Sequence, residues 1–126
     1  MISIDLASPV PLATQIEQAL RRAIAIGDVC PGQELPAVRQ LAGDLDVNFN
    51  TVARAYRALE ARGLVRTSRG RGTFVTADAE LDETQALKRA VTSIRQALAD
   101  ARLAGLDQGE IEAILRQESA ALWTGR

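Results

Sequence analysis

The side chains that can do chemistry in this chain are guanidinium and carboxamide groups, and they are crowded into one stretch. Between Pro36 and Val75 stand seven arginines: Arg39, Arg54, Arg57, Arg62, Arg66, Arg69 and Arg71. Three acids, Asp44, Asp46 and Glu60, face them, so this stretch carries +4. Before Pro36 four acids outweigh Arg21 and Arg22, and after Val75 nine acids outweigh six bases, within a total of −1. A guanidinium fits phosphate oxygens or a guanine edge with two parallel hydrogen bonds, and a carboxamide fits an adenine edge. Asn48, Asn50 and Thr51 sit just ahead of Arg54 and Arg57. The pattern points to a polyanion partner. On charge alone, a solvated arginine face would account for it equally well.

Other chemistries are poorly served. The chain has no histidine. That removes the commonest metal ligand and the usual general base at neutral pH. No paired carboxylates flank a pocket motif. We therefore expect no enzyme activity, no cofactor and no metal site. The single cysteine, Cys30, allows no intrachain disulfide and reads as a small packing residue. No apolar run approaches the ~20 residues that cross a bilayer. The N-terminus MISIDLASPVPL lacks a basic region followed by an apolar run. A cytoplasmic protein without a membrane partner is the expectation.

The elements that must carry these side chains follow from periodicity. Ile2, Ile4 and Leu6 alternate with polar residues as a short extended arm. A helix is expected from about Leu12 to Ile26, with Ile16, Ala19, Leu20, Ala23 and Ile24 at helical spacing and Gly27 ending it. Cys30-Pro31-Gly32 suits a type II turn. A second helix is expected to open at Pro36, as its first residue, with Val38, Leu41, Ala42 and Leu45 as its buried stripe. Arg39 lies off that stripe, as a surface charge or a phosphate contact.

A third helix follows after a short break. Asn48 reads as its N-cap, and Val47 with Val52 has the spacing of a hydrophobic staple. Val52, Ala55, Tyr56 and Leu59 face inward. Phe49, Asn50, Thr51, Arg54 and Arg57 are left on the outer and N-terminal surface. Gly63 closes the helix. Leu64-Val65-Arg66-Thr67 and Thr73-Phe74-Val75 read as strands, joined by Ser68-Arg69-Gly70-Arg71-Gly72. The order helix, turn, helix, basic hairpin is the layout of a winged helix-turn-helix DNA binder. The third helix would enter a major groove, and Arg69, Gly70 and Arg71 would hold a minor groove or the backbone.

From Leu81 onward a helical, acidic tail is expected. Leu87, Val91, Ile94, Leu98 and Ala101 recur at steps of four and three, and Gly105 ends that helix. Asp107 and Glu110 have the spacing of a capping box, and Leu106 and Ile111 that of a staple, opening a last helix with Ile111, Ile114, Leu115 and Leu122 as its stripe. Two such helices are too small to bury their own faces. Docking on a second copy would cover them, as would folding back on the winged domain; we favour the dimer. Trp123 reads as an interface or core anchor.

Residues 9–76 resemble the GntR family of bacterial transcription regulators. The resemblance rests on Pro11, Gln15-Ile16, Gly27, Pro31-Gly32, Leu35 to Ala42, Val47 to Val52, Tyr56, Leu59-Glu60, Gly63, and Gly70 to Val75. The short tail is similar to that of the YtrA-like subfamily, whose small helical C-terminal region dimerises. The subfamily often has proline where Phe49 stands, and some relatives have a contacting arginine where Ala53 stands. The resemblance implies DNA contacts at Arg39, Asn48, Asn50, Thr51, Arg69 and Gly70. Larger ligand-binding C-terminal domains of the family have no room here, and a small-molecule effector stays open.

The expected fold is thus mainly α with a small β wing. A winged helix-turn-helix domain (1–76) precedes a two-helix dimerisation region (77–126). The expected function is a homodimeric regulator, a repressor in sense, on a near-palindromic stretch of double-stranded DNA. A protein-interaction module without a DNA target is the rival.

Overall fold

The computed structural model describes residues 2–76 and 82–124. The chain divides into two compact units, Met1–Glu80 and Leu81–Arg126.

The first unit is built on apolar stripes that meet. Helix α1 (Leu12–Ala25), α2 (Val38–Leu45) and α3 (Phe49–Ala61) each bury one face. Ile16 and Leu20 of α1 meet Val52 and Leu59 of α3, and all four are fully buried. Burying one such side chain contributes about 1.5–3 kcal/mol. Leu41 and Ala42 bring α2 onto the same core. The arm ahead of α1 is tied down by Gln15. Its side chain accepts from the Asp5 amide at 2.7 Å and donates to the Asp5 and Val10 carbonyls at 3.0 and 2.8 Å. Ile2 and Ile4 pack against the core.

Two expectations are corrected here. Pro36 is not the first residue of α2: the helix begins at Val38 with Ala37 as N-cap. Pro36 instead presents its carbonyl to the Tyr56 hydroxyl at 2.6 Å. Cys30 is exposed, not packed. It lies beside the turn at 30–33, which closes through the Gln33 amide donating to the Cys30 carbonyl at 3.0 Å. The thiol lies in this exposed turn and donates to the Gly27 carbonyl at 3.4 Å.

The first strand is shifted one residue along the chain from the expected Leu64–Thr67, and the second is one residue longer than the expected Thr73–Val75. β1 (Val65–Ser68) and β2 (Gly72–Val75) pair antiparallel, with Ser68 opposite Gly72. The loop between them is therefore three residues, not five. A further strand-like edge escaped the sequence reading. Glu34 bridges to Phe74, the Leu35 amide donates to Thr73 and the Val75 amide to Gln33. The hairpin is thus anchored on its inner side, where Val65 and Val75 are buried.

The second unit is a pair of helices, α4 (Glu83–Leu103) and α5 (Gln108–Thr124). Leu81, expected to open the first of them, lies outside the described residues. The Asp107–Glu110 capping box is formed in both directions: the Glu110 amide donates to Asp107 Oδ1 at 2.8 Å, and the Asp107 amide to Glu110 Oε1 at 3.0 Å. Neither helix has a buried residue. No helix of the described residues is long and apolar enough to cross a membrane.

Candidate nucleic-acid interface

The helix-turn-helix is set by two local devices. α2 ends on Asp46, whose φ of +56° is left-handed, and the Val47 amide donates back to Ala42. α3 then opens on Asn48, whose Oδ1 accepts from the Asn50 amide at 2.7 Å. The carboxamide of Asn48 is therefore engaged in capping. That of Asn50 is exposed at the tip of the helix.

Along α3, Asn50, Arg54 and Arg57 follow at steps of four and three, all exposed. They form one strip opposite the buried residues Val52, Ala55, Tyr56 and Leu59. Thr51 is half-buried on the flank, and Phe49 is 48% exposed at the first helical position. Arg39 is exposed on α2. The strip and the positive end of the helix dipole together suit an anionic groove.

The hairpin is held to this helix. The Thr67 amide donates to Glu60 Oε2 at 3.0 Å, so β1 is fastened to the last turn of α3. At the tip Arg69 and Arg71 are exposed on either side of Gly70. The Arg71 amide donates to the Ser68 carbonyl at 2.9 Å, and Gly70 takes φ +79° at the third position of that turn. Nothing lies within 4 Å of a side chain built at Gly70, so another molecule can approach its backbone closely.

Rotation of α3 about its axis is constrained at Tyr56. Its ring is buried, and its hydroxyl donates to the Pro36 carbonyl. Burial pushes the phenol up to about 12. Sequence reasoning placed Tyr56 inward but missed this bond. It also missed Glu17, a buried acid on α1 against α3, whose neighbours in sequence look like an ordinary polar flank.

The side chains expected to dimerise fall into two groups. Ile94, Leu98, Ile111, Ile114 and Leu115 line one apolar crevice of about 210 Å³ between α4 and α5. Leu87 and Val91 lie further up α4, and Leu122 near the end of α5, outside it. Leu87 is 65% exposed and Trp123 77%, so Trp123 anchors no core within this unit.

Residues 12–75 match the family model described as bacterial regulatory proteins, gntR family. The HTH-type transcriptional repressor YtrA of Bacillus subtilis is 33% identical over 127 residues, covering 100% of this chain and 98% of its own. The chain belongs to the GntR family. A second relative, the HTH-type transcriptional regulator Rv1152 of Mycobacterium tuberculosis, is 38% identical over 86% of each chain. Among solved structures, a transcriptional antiterminator from Listeria monocytogenes superposes with a TM-score of 0.83 at 27% identity, covering 97% of this chain and 92% of that one. The DNA-binding domain of AraR, solved in complex with operator ORX1, gives 0.55 at 25% identity over 60% of this chain and 96% of that one. The protein is accordingly a transcriptional regulator with a GntR DNA-binding domain, and its relatives are regulators, not enzymes.

Proposed function

We propose that this protein is a homodimeric repressor that reads a near-palindromic operator in the cytoplasm. The winged domain spans residues 1–76 and the helical dimerisation region 77–126. The observation that carries the reading is the exposed strip Asn50, Arg54 and Arg57 on a capped helix, with an arginine-tipped hairpin fastened to that helix through Glu60 and Thr67. Asn50 and Arg54 meet base edges at the tip of α3, Thr51 and Arg57 the groove wall, and Phe49 the groove floor beside them. Arg39 and the first turn of α3, opened by Asn48, hold phosphates. Arg69, Gly70 and Arg71 hold the neighbouring minor groove or backbone.

The dimer rests on the apolar crevice and its exposed surround on α4 and α5, whose Leu87, Val91, Ile94, Leu98, Ile111, Ile114, Leu115 and Leu122 would cover a second copy. Two-fold symmetry places half-site centres ~10 bp, or a multiple, apart. Repression follows the sense of the relative named a repressor, and the operator that of the AraR complex. Binding-site selection from random duplexes tests the reading. An enriched motif with internal two-fold symmetry supports it. Recovery of no motif at any salt would mean an interaction module without a DNA target.

A further inference from the structure

Phe49 is a large apolar side chain that the fold does not use. It is 48% exposed at the first position of α3. Val47 before it and Val52 after it are held on the core, and Phe49 is not among the residues packed there. Nor does the helix start need the ring, since Asn48 caps it by accepting from the Asn50 amide. The other exposed large apolar side chains of the first unit are Leu6 and Val10, in the segment ahead of α1. Among the described residues of α1, α2 and α3, Phe49 therefore stands alone.

Its position gives the ring another use. Phe49 directly precedes Asn50, in the first turn of the second helix of a helix-turn-helix, and that turn is the part of the motif that meets base edges. Ala53, half-buried, follows four residues later on the same line of the helix. The two make an apolar ledge beside the polar strip of Asn50, Arg54 and Arg57. The major-groove edges of the bases present donors and acceptors to such a strip, and one methyl group, at C5 of thymine. A ring and a methyl that both stand in water gain by meeting, because apolar surface leaves solvent on each side. We propose that Phe49 reads thymine through its C5 methyl, at one position in each half-site. This rests on the DNA-binding reading above and names what its apolar flank takes. The preference is invisible to hydrogen bonding, so Asn50 and Arg54 cannot supply it.

The test takes the duplex returned by binding-site selection with the full chain. Each thymine in turn is replaced by deoxyuridine, which removes the methyl and leaves every hydrogen-bonding group in place. One thymine per half-site should respond, with affinity lower by about fourfold, the weight of one buried methyl. Phe49→Ala should bind the thymine duplex more weakly and lose the response to deoxyuridine at that position alone. Phe49→Leu, which keeps an apolar side chain, should retain part of it. Urea unfolding of both variants should match the parent, since the ring is not packed on the core. A clearly lowered midpoint in Phe49→Ala would give the ring a role in the fold and overturn the premise. The scan of the parent chain needs no variant. Indifference to deoxyuridine at every position, or a selected motif without thymine, overturns the proposal while the enriched motif keeps the DNA reading. A response that persists in Phe49→Ala assigns the methyl to another side chain and overturns it as well. A selection that returns no motif removes the DNA reading and this inference with it.

Discussion

Single side chains at this interface divide by what they can read. Asn50 and Arg54 carry polar groups that can discriminate bases, and they stand exposed in the first two turns of α3. Asn50→Ala or Arg54→Ala should cost about 1–3 kcal/mol on the cognate duplex and relax preference at one position, as a competition gel shift against single-base variants would report. Arg69 and Arg71 stand exposed on a hairpin tip, and the proposed reading gives them phosphates. Arg69→Ala or Arg71→Ala should weaken all duplexes alike and flatten the salt slope by about 0.9 each. Unchanged operator binding by both Asn50→Ala and Arg69→Ala would make the contact assignment wrong. These residues were legible in the sequence because the strip and hairpin are local: helical spacing and two glycines suffice to expose them. Glu17 was not legible, because its partner Arg62 is 45 positions away and its meaning arises only when α1 lies on α3.

The elements hold those groups at a fixed attitude, and two positions test how. At the hairpin, Gly70 has φ +79°, near the left-handed well that Asp46 already occupies at +56°, whereas Gly72 has φ +124°, well outside it. A side chain at Gly72 would also meet Glu34 Oε2 at 2.5 Å, though that carboxylate is exposed and can swing aside. The backbone term decides the order. Gly72→Ala should destabilise by about 1–3 kcal/mol and Gly70→Ala by less, measured by urea unfolding. At the junction of α2 and α3, Tyr56→Phe removes the donor to the Pro36 carbonyl and should cost about 1–3 kcal/mol by the same measurement. The phenol titrates at about 12 in the fold against 10.0 when free, so folding favours its neutral form. That contribution is complete below pH 10.0 and is lost as pH rises toward about 12. Tyr56 is the only tyrosine, so tyrosinate absorbance reads it directly, and Tyr56→Phe should lack this alkaline loss.

For the assembled protein the prediction concerns the exposed apolar crevice of α4 and α5. Ile94 is 55% exposed and Leu115 46%, values that a lone helix pair leaves in water. Ile94→Asp or Leu115→Asp should convert a dimer to monomers in sedimentation while the winged unit keeps its own unfolding transition. Half-site affinity should persist, and the advantage of a full palindrome, on the order of 10²–10⁴, should vanish. A parent chain that sediments as a monomer at all concentrations would remove the dimer from the reading.

Sequence order alone determined the succession of helices, the exposed strip on α3 and the hairpin, since each rests on spacings within about a dozen residues and on local caps. Helical period and turn chemistry act at that range without help from the rest of the chain. Folding in three dimensions decided what distance in sequence conceals. It set the third strand-like edge at Gln33–Leu35, the tether from Glu60 to Thr67, the bond from Tyr56 to Pro36 and the ion pair of Glu17 with Arg62. Each joins groups whose pairing no local pattern encodes, because it depends on which helix faces are pressed together once water is expelled from between them.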